Sequence, residues 1–248
     1  MAGFAAWNHS RDRRPMILGT SLYLLALDEA ADTPWPTTRL NRDDQARAGR
    51  FRRAGDQARF VAGRLLLERL VRDETGVEDW PLEIGPRGRP ALVGRGAGRP
   101  DVNISHCPGL IAAAFHGSGR VGVDVEAVDR SVDALGLADR YFSPEEAAEV
   151  NAAPSPVRRR LFLRYWTAKE AAMKAIGGGL SIPLDQVRVD LSSPGLAFAP
   201  ELGEDPAAWR LHTRDLGEHL LAVAVRADAP PGSASLRERW ISRDDLAI

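Results

Sequence analysis

The run Val121-Gly122-Val123-Asp124-Val125-Glu126 limits the fold more than any other short segment of this chain. Side chains alternate across a strand, so the three valines share one face while Asp124 and Glu126 share the other. The valine face has to be covered by other apolar surface. Two carboxylates side by side repel one another unless a cation sits between them. An oxygen-only donor set suits Mg²⁺, with Mn²⁺ as the alternative. The same pattern also describes an amphipathic strand with a solvated acidic face, and these six residues leave both readings open.

The segments around it read as an α+β chain. Residues 16–27 form an apolar run of strand length, and 102–105, 110–115, 187–190, 208–213 and 220–226 are further strands. Residues 82–100 are rich in Gly and Arg between short apolar pairs, which predicts strands and turns. Helices are predicted over 43–51 and 56–71, the second with Asp56 as its cap. A long helix is predicted from about Val157 to Ala175, stopping at Gly177-Gly178-Gly179. Both halves read as strand, helix, strands, with a break near Gly117–Arg120. The predicted parts are a polar leader (1–14), a first half (15–118), a second half (119–228), and a linker with a charged tail (229–248).

Composition excludes several classes. The net charge is -1, so the chain is no nucleic-acid-binding or membrane-binding polycation, and no segment is apolar for long enough to span a bilayer. Residues 1–15 lack the apolar run of a signal peptide, and one cysteine, Cys107, forbids an internal disulfide. These features predict a cytoplasmic protein with no nucleic acid or membrane partner. Of the 33 Lys and Arg residues only Lys169 and Lys174 are lysines, five positions apart. An arginine-rich bias explains why lysines are few, but not why both fall in one segment.

Three further groups can carry chemistry. On the long helix, Trp166, Glu170 and Lys174 are spaced i, i+4, i+8 and share a face. Glu170–Lys174 is either a surface ion pair or a carboxylate beside a compact cation able to reach a phosphate oxygen. Asn103-Ile104-Ser105-His106-Cys107 ends a strand before Pro108-Gly109. Ser105 and His106 point to opposite faces there, so they make no nucleophile pair, but each can bond a phosphate. The alternative is a turn whose Asn and Ser satisfy local backbone. Arginines 47, 50, 52, 53, 59 and 64, with Arg87 and Arg89 around Gly88, form a basic cluster suited to phosphate or to a solvated helix face.

In order, these segments run GRP (88–90), NISH (103–106), GVDVE (122–126), RYFSPEE (140–146), then WTAKEAAMK (166–174) and GGGL (177–180). Together they resemble the 4'-phosphopantetheinyl transferase superfamily, in its single-chain, surfactin-synthetase-activating type, over about residues 40–190. The resemblance implies a pseudo-dimer of two similar α+β subdomains with the active site in the cleft between them. It implies transfer of the phosphopantetheine arm of coenzyme A to a serine of an apo acyl or peptidyl carrier protein, releasing 3',5'-ADP. Asp124, Glu126 and Glu170 would hold Mg²⁺, with Asp124, Glu170 and Lys174 catalytic and Glu170 the base for the carrier serine. Arg47, Arg87, Gly88, Arg89, Ser105, His106 and Lys174 would contact coenzyme A. The family often has Lys where this chain has Arg89. Such members are often associated with secondary metabolism, and a two-lobed chain can complete the site as a monomer. Two other readings remain: a silent module that binds coenzyme A or a carrier, and another Mg²⁺-dependent enzyme acting on the coenzyme A pyrophosphate.

Overall fold

The structure is a computed structural model that describes residues 19–28, 34–78, 81–85, 88–93, 100–228 and 235–246. The predicted leader, and Arg87, lie outside those residues. In chain order the elements are β1 (Thr20–Ala26), α1 (Arg42–Ala48), α2 (Ala54–Thr75), β2 (Leu82–Ile84), β3 (Pro90–Leu92), β4 (Asp101–Cys107), β5 (Leu110–His116) and β6 (Gly119–Ala127). Then follow α3 (Ala134–Tyr141), α4 (Pro144–Ala152), α5 (Ser155–Ile176), β7 (Val187–Asp190), β8 (Gly195–Phe198), β9 (Trp209–Asp215), β10 (His219–Ala227) and β11 (Leu236–Trp240). Among the described residues no helix is long and apolar enough to cross a membrane.

Two main sheets result, in the orders β11-β1-β5-β4 and β6-β10-β9, with small hairpins β2-β3 and β7-β8. Each main sheet carries one 22-residue helix on its outer face. Helix α2 packs on the first sheet through fully buried Leu66, Leu67 and Leu70. Each such leucine contributes roughly 1.5–3 kcal/mol of hydrophobic stabilisation. Helix α5 packs on the second sheet. The inner faces share a core: Leu22, Leu24, Ala112 and Ala114 of the first sheet meet Val121, Val123, Val125, Leu221 and Val223 of the second. The valine alternation on β6 thus faces the inter-sheet core, as the sequence predicts.

The seam between the sheets is made by side chains. On β4, Asp101, Asn103 and Ser105 share one face and reach across to β6. Asp101 Oδ2 accepts the Val121 N–H at 3.0 Å, and Asn103 Oδ1 accepts the Val123 N–H at 2.9 Å. Asn103 therefore satisfies backbone twenty positions away rather than a local turn.

Helix α5 approaches β6 very closely. Ala168, Ala171, Ala172 and Ala175 are almost fully buried, and Gly122 lies opposite them. A Cβ on Gly122 would come within 1.9 Å of the Ala171 carbonyl oxygen and 2.6 Å of the Ala175 nitrogen. Both are backbone atoms, so the whole helix would have to move. Overpacking costs typically about 1–3 kcal/mol, and Gly122→Val is expected at or above the top of that range in urea unfolding.

Several ends differ from the sequence reading. Helix α2 begins after Arg53, which makes no side-chain cap bond; Asp56 sits inside the first turn and pairs with Arg59. Helix α1 is capped by Asn41, whose side chain accepts the Asp44 N–H at 2.9 Å. Helix α5 starts at Ser155 and ends at Gly177, which takes φ 86° as the glycine stop requires. The segment expected only as a charged tail supplies β11, which pairs in parallel with β1.

His116, at the end of β5, is 1% exposed and shares a hydrogen bond with Thr20 Oγ1 at 2.9 Å, while its Nε2 has no partner. Burial holds the imidazole below its ordinary value, opposed by backbone groups at Ser118 and Gly19 and by Asp101 and Asp228. The folded state then binds fewer protons than the unfolded state. This contribution is complete above the ordinary value of 6.5 and declines as pH falls below it. The melting temperature of the native protein should therefore drop more between pH 7.5 and 5.5 than that of His116→Gln.

Candidate active site

Strand β6 and helix α5 bring Asp124 and Lys174 together because Gly122 and the small residues of α5 let the helix lie against the strand. Lys174 Nζ donates to Asp124 Oδ1 at 2.6 Å, to Ser105 Oγ at 3.0 Å and to the Val123 carbonyl at 3.2 Å. Ser105 Oγ donates to the same Asp124 oxygen at 2.8 Å. One residue of β4, one of β6 and one of α5 thus close a triangle across the seam. Asp124 is 5% exposed, and its second oxygen, Oδ2, is buried without a hydrogen-bond partner. An ionised oxygen in that position is costly unless something positive approaches it.

Glu126, two positions along the same face of β6, pairs with Arg130, whose guanidinium lies over the Trp166 ring at 5.6 Å from its centroid. Glu170 lies one turn from both Trp166 and Lys174. Burial, and next the charge of Asp124, pushes Glu126 up to about 7, with Glu170 adding and Arg130 and Lys174 opposing. Burial and then Asp124 also raise Glu170, against Lys174 and Arg130. Glu126 and Glu170 therefore both feel the charge of Asp124 in a partly dehydrated space. Among the described residues no three His, Cys, Asp or Glu side chains are drawn together into a ready metal cage. Lys174 and Arg130 supply the positive charge in this arrangement. The donor chemistry fits a hard divalent cation: oxygens only, mutual repulsion, and the partnerless Asp124 Oδ2.

The predicted phosphate contacts fall in four places. Ser105 is in the triangle. His106 lies on the opposite side of β4, at its exposed end; such burial as its ring has, with Arg59 and Lys174 nearby, holds the imidazole below its ordinary value. Arg47 and Gly88 meet: a Cβ on Gly88 would lie 3.7 Å from Arg47 Nη2, and Gly88 has φ 77°. Phe60 carries Arg47 and Arg64 at 5.1 and 5.2 Å from its ring centroid. Arg64 is 5% exposed and paired with Asp44 at 3.2 Å. Arg47 opens on a cavity of about 1460 Å³ between α1, α2 and β2, which Arg39, Arg42, Arg50 and Arg64 also line. Arg89 is placed differently: its Nη2 donates to Asp101 Oδ2 at 2.6 Å and to the Val121 carbonyl at 2.9 Å, within the seam.

Sequence reasoning missed the Arg130–Trp166 contact and the seam residues Asp101 and Asn103. The every-second-residue spacing of Asp101, Asn103 and Ser105 was the available signal. The scarcity of lysine also singled out Lys169 together with Lys174. Lys169 is fully buried on another face of α5, 2.7 Å from Glu146 Oε2, and donates to the carbonyls of Leu184 and Val187.

With this geometry established, similarity to known proteins can be placed on it. Residues 120–224 match the family model of the 4'-phosphopantetheinyl transferase superfamily. That span contains Asp124, Glu126, Glu170 and Lys174. A Synechocystis sp. protein, slr0495, assigned to the 4'-phosphopantetheinyl transferases, is 33% identical over 179 residues, covering 71% of this chain and 72% of that protein. The 4'-phosphopantetheinyl transferase HetI of Nostoc sp. is 33% identical over 156 residues, or 62% and 65% of the two chains. A Bacillus subtilis 4'-phosphopantetheinyl transferase is 29% identical over 181 residues, or 71% and 77%. Among solved structures, the holo-[acyl-carrier-protein] synthase of Neisseria meningitidis aligns with a TM-score of 0.36 at 24% identity, over 43% of this chain and 95% of that one. The extent of the match to slr0495 and the site residues inside the matched family region lead to one conclusion: the chain belongs to the 4'-phosphopantetheinyl transferase superfamily.

Proposed function

We propose that this protein transfers the 4'-phosphopantetheine arm of coenzyme A to a serine hydroxyl of an apo acyl or peptidyl carrier protein, with Mg²⁺, releasing 3',5'-ADP. The observation that carries this reading is the Ser105–Asp124–Lys174 triangle, in which Asp124 Oδ2 has no partner and the charge of Asp124 reaches both Glu126 and Glu170. A cluster of this kind is arranged to hold charge that comes and goes. Phosphoryl-type transfer asks for positioning and charge neutralisation more than for covalent chemistry.

The residues divide the work. Asp124, Glu126 and Glu170 would hold the divalent cation, which when bound offsets the charge of the pyrophosphate. Lys174, already between Ser105 and Asp124, can turn its ammonium to a phosphate oxygen. Ser105 and His106 bind the phosphates from β4, and Arg47 with the Gly88 backbone holds the nucleotide end. Arg89, committed to Asp101, positions β4 against β6, and contacts coenzyme A only if it leaves that pair. The carrier serine oxygen forms a bond to the β-phosphorus as the bond to the 3',5'-ADP oxygen breaks, and the serine proton passes to Glu170. We assign nucleotide contacts mainly to residues 15–118, and the carboxylates to residues 119–228. One chain supplies every group, so a monomer suffices.

The test is a nucleotide balance. Apo carrier, coenzyme A, Mg²⁺ and this protein should yield 3',5'-ADP in step with holo-carrier, as measured by chromatography. Nucleotide release without any carrier would instead favour hydrolysis of the coenzyme A pyrophosphate. Coenzyme A binding with no release would favour a silent binder.

A further inference from the structure

After β11 the chain stays on the first half and touches the loop that leads into α1. Ile241 and Leu246 are buried in the core under α2. The Ile241 N–H donates to the Leu24 carbonyl at 2.8 Å, continuing the path of β11. Arg243 Nη2 then donates to the Pro34 carbonyl at 2.7 Å, and its guanidinium lies 4.5 Å from the Trp35 ring centroid. The Leu246 carbonyl accepts from Arg39, and the Asp245 carbonyl accepts from Arg69 at 2.7 Å. Residues 34–41 are thus held at Pro34, Trp35 and Arg39 by residues 243–246.

That loop sets the position of α1. Leu40 is buried, its carbonyl accepts from Gln45 Nε2 at 2.6 Å, and Asn41 caps the helix. Helix α1 carries Arg47, and the loop and α1 together form one wall of the 1460 Å³ cavity. A smaller cavity of about 360 Å³, lined by Asp245 and Leu246, shares Arg39, Glu68 and Glu78 with the larger one. The C-terminal segment therefore meets the wall that carries Arg47 at Arg39, the residue of that wall that lines both cavities.

We infer that residues 241–246 are a positioning element for the nucleotide end of coenzyme A, acting through the 34–41 loop and α1, with Arg243 as its main contact. This rests on the proposed function in one respect, that Arg47 faces coenzyme A. Arg243 does not line the cavity, so it acts at one remove. The contacts described above run to Leu24, Pro34, Trp35, Arg39 and Arg69, none of which belongs to the Asp124, Glu170 and Lys174 site.

The test uses the full chain and four variants: Arg243→Ala, Arg243→Lys, Trp35→Leu and Arg237→Ala. Arg237 anchors β11 to Glu74 and Ser21, neither of which lines the cavity, and so reports the purely structural effect of loosening the tail. Coenzyme A is titrated into each protein with Mg²⁺ by calorimetry, and KM and kcat are measured with one apo carrier. Arg243→Ala and Trp35→Leu should raise Kd and KM for coenzyme A at least about three-fold while kcat stays within two-fold. Arg243→Lys, which can still donate to the Pro34 carbonyl and lie on Trp35, should restore most of the affinity. Arg237→Ala should lower the melting temperature without moving KM. Unchanged coenzyme A affinity in Arg243→Ala and Trp35→Leu overturns the inference, as does an equal effect of Arg237→Ala. A native protein that does not bind coenzyme A overturns the proposed function, and this inference with it.

Discussion

Asp124→Asn is expected to lower transfer by at least about 10³-fold, the loss that about 4 kcal/mol of transition-state stabilisation produces. The substitution is close to isosteric. The remaining amide oxygen can still accept from Lys174 and Ser105, so the triangle and the seam should hold. The buried Oδ2, which has no partner in the protein, is the atom that is lost. The variant should keep the native circular dichroism spectrum and a melting temperature close to that of the native protein, yet bind Mn²⁺ more weakly. Near-native turnover would remove Asp124 from the cation site.

Lys169→Ala should be the most damaging change outside the site. Its ammonium is fully buried, paired with Glu146 and bonded to two carbonyls, and lies 5.2 Å from the centroid of the Phe142 ring. Glu146 in turn closes the capping box of α4 and accepts the Val189 N–H at 2.8 Å. Breaking a buried pair leaves its partner charge stranded, at a cost of about 3–5 kcal/mol. The hub joins α4, α5 and β7, so urea unfolding should shift by that amount and the protein should be poorly soluble at 37 °C. Lys169→Met tests whether the loss comes from the stranded Glu146. Pairing it with Glu146→Gln should recover part of the stability.

The contrast between the two lysines shows what sequence can and cannot carry. Both stand out because the chain uses arginine almost everywhere else. Spacing alone puts Lys174 on the face of Glu170 and Lys169 about a quarter-turn away, but it does not say which face is buried. The strands around Asp124 were legible because alternation on β6 and the apolar run on β5 obey local rules. The long helix was legible because its glycine stop is also local. The seam was not, since Asp101 and Asn103 bond to backbone some twenty positions ahead. Nor was β11: Leu-Arg-Glu-Arg-Trp has no apolar alternation, and it becomes a strand because β1 offers a free edge and Glu74 and Asp73 attract Arg237 and Arg239. Arg89 reads as a phosphate ligand by its place beside Gly88, whereas its partner in the fold, Asp101, lies beyond the turn. Each of these differences comes from a contact between segments distant in sequence.

The most direct measurement is the intact mass of a purified apo carrier protein after incubation with this protein, coenzyme A and Mg²⁺, beside reactions with excess chelator and with Asp124→Asn. A gain of one phosphopantetheinyl group in the complete reaction, abolished by the chelator and by the substitution, is the predicted result. A carrier whose mass stays unchanged, across several acyl and peptidyl carriers and with coenzyme A demonstrably bound, would contradict it.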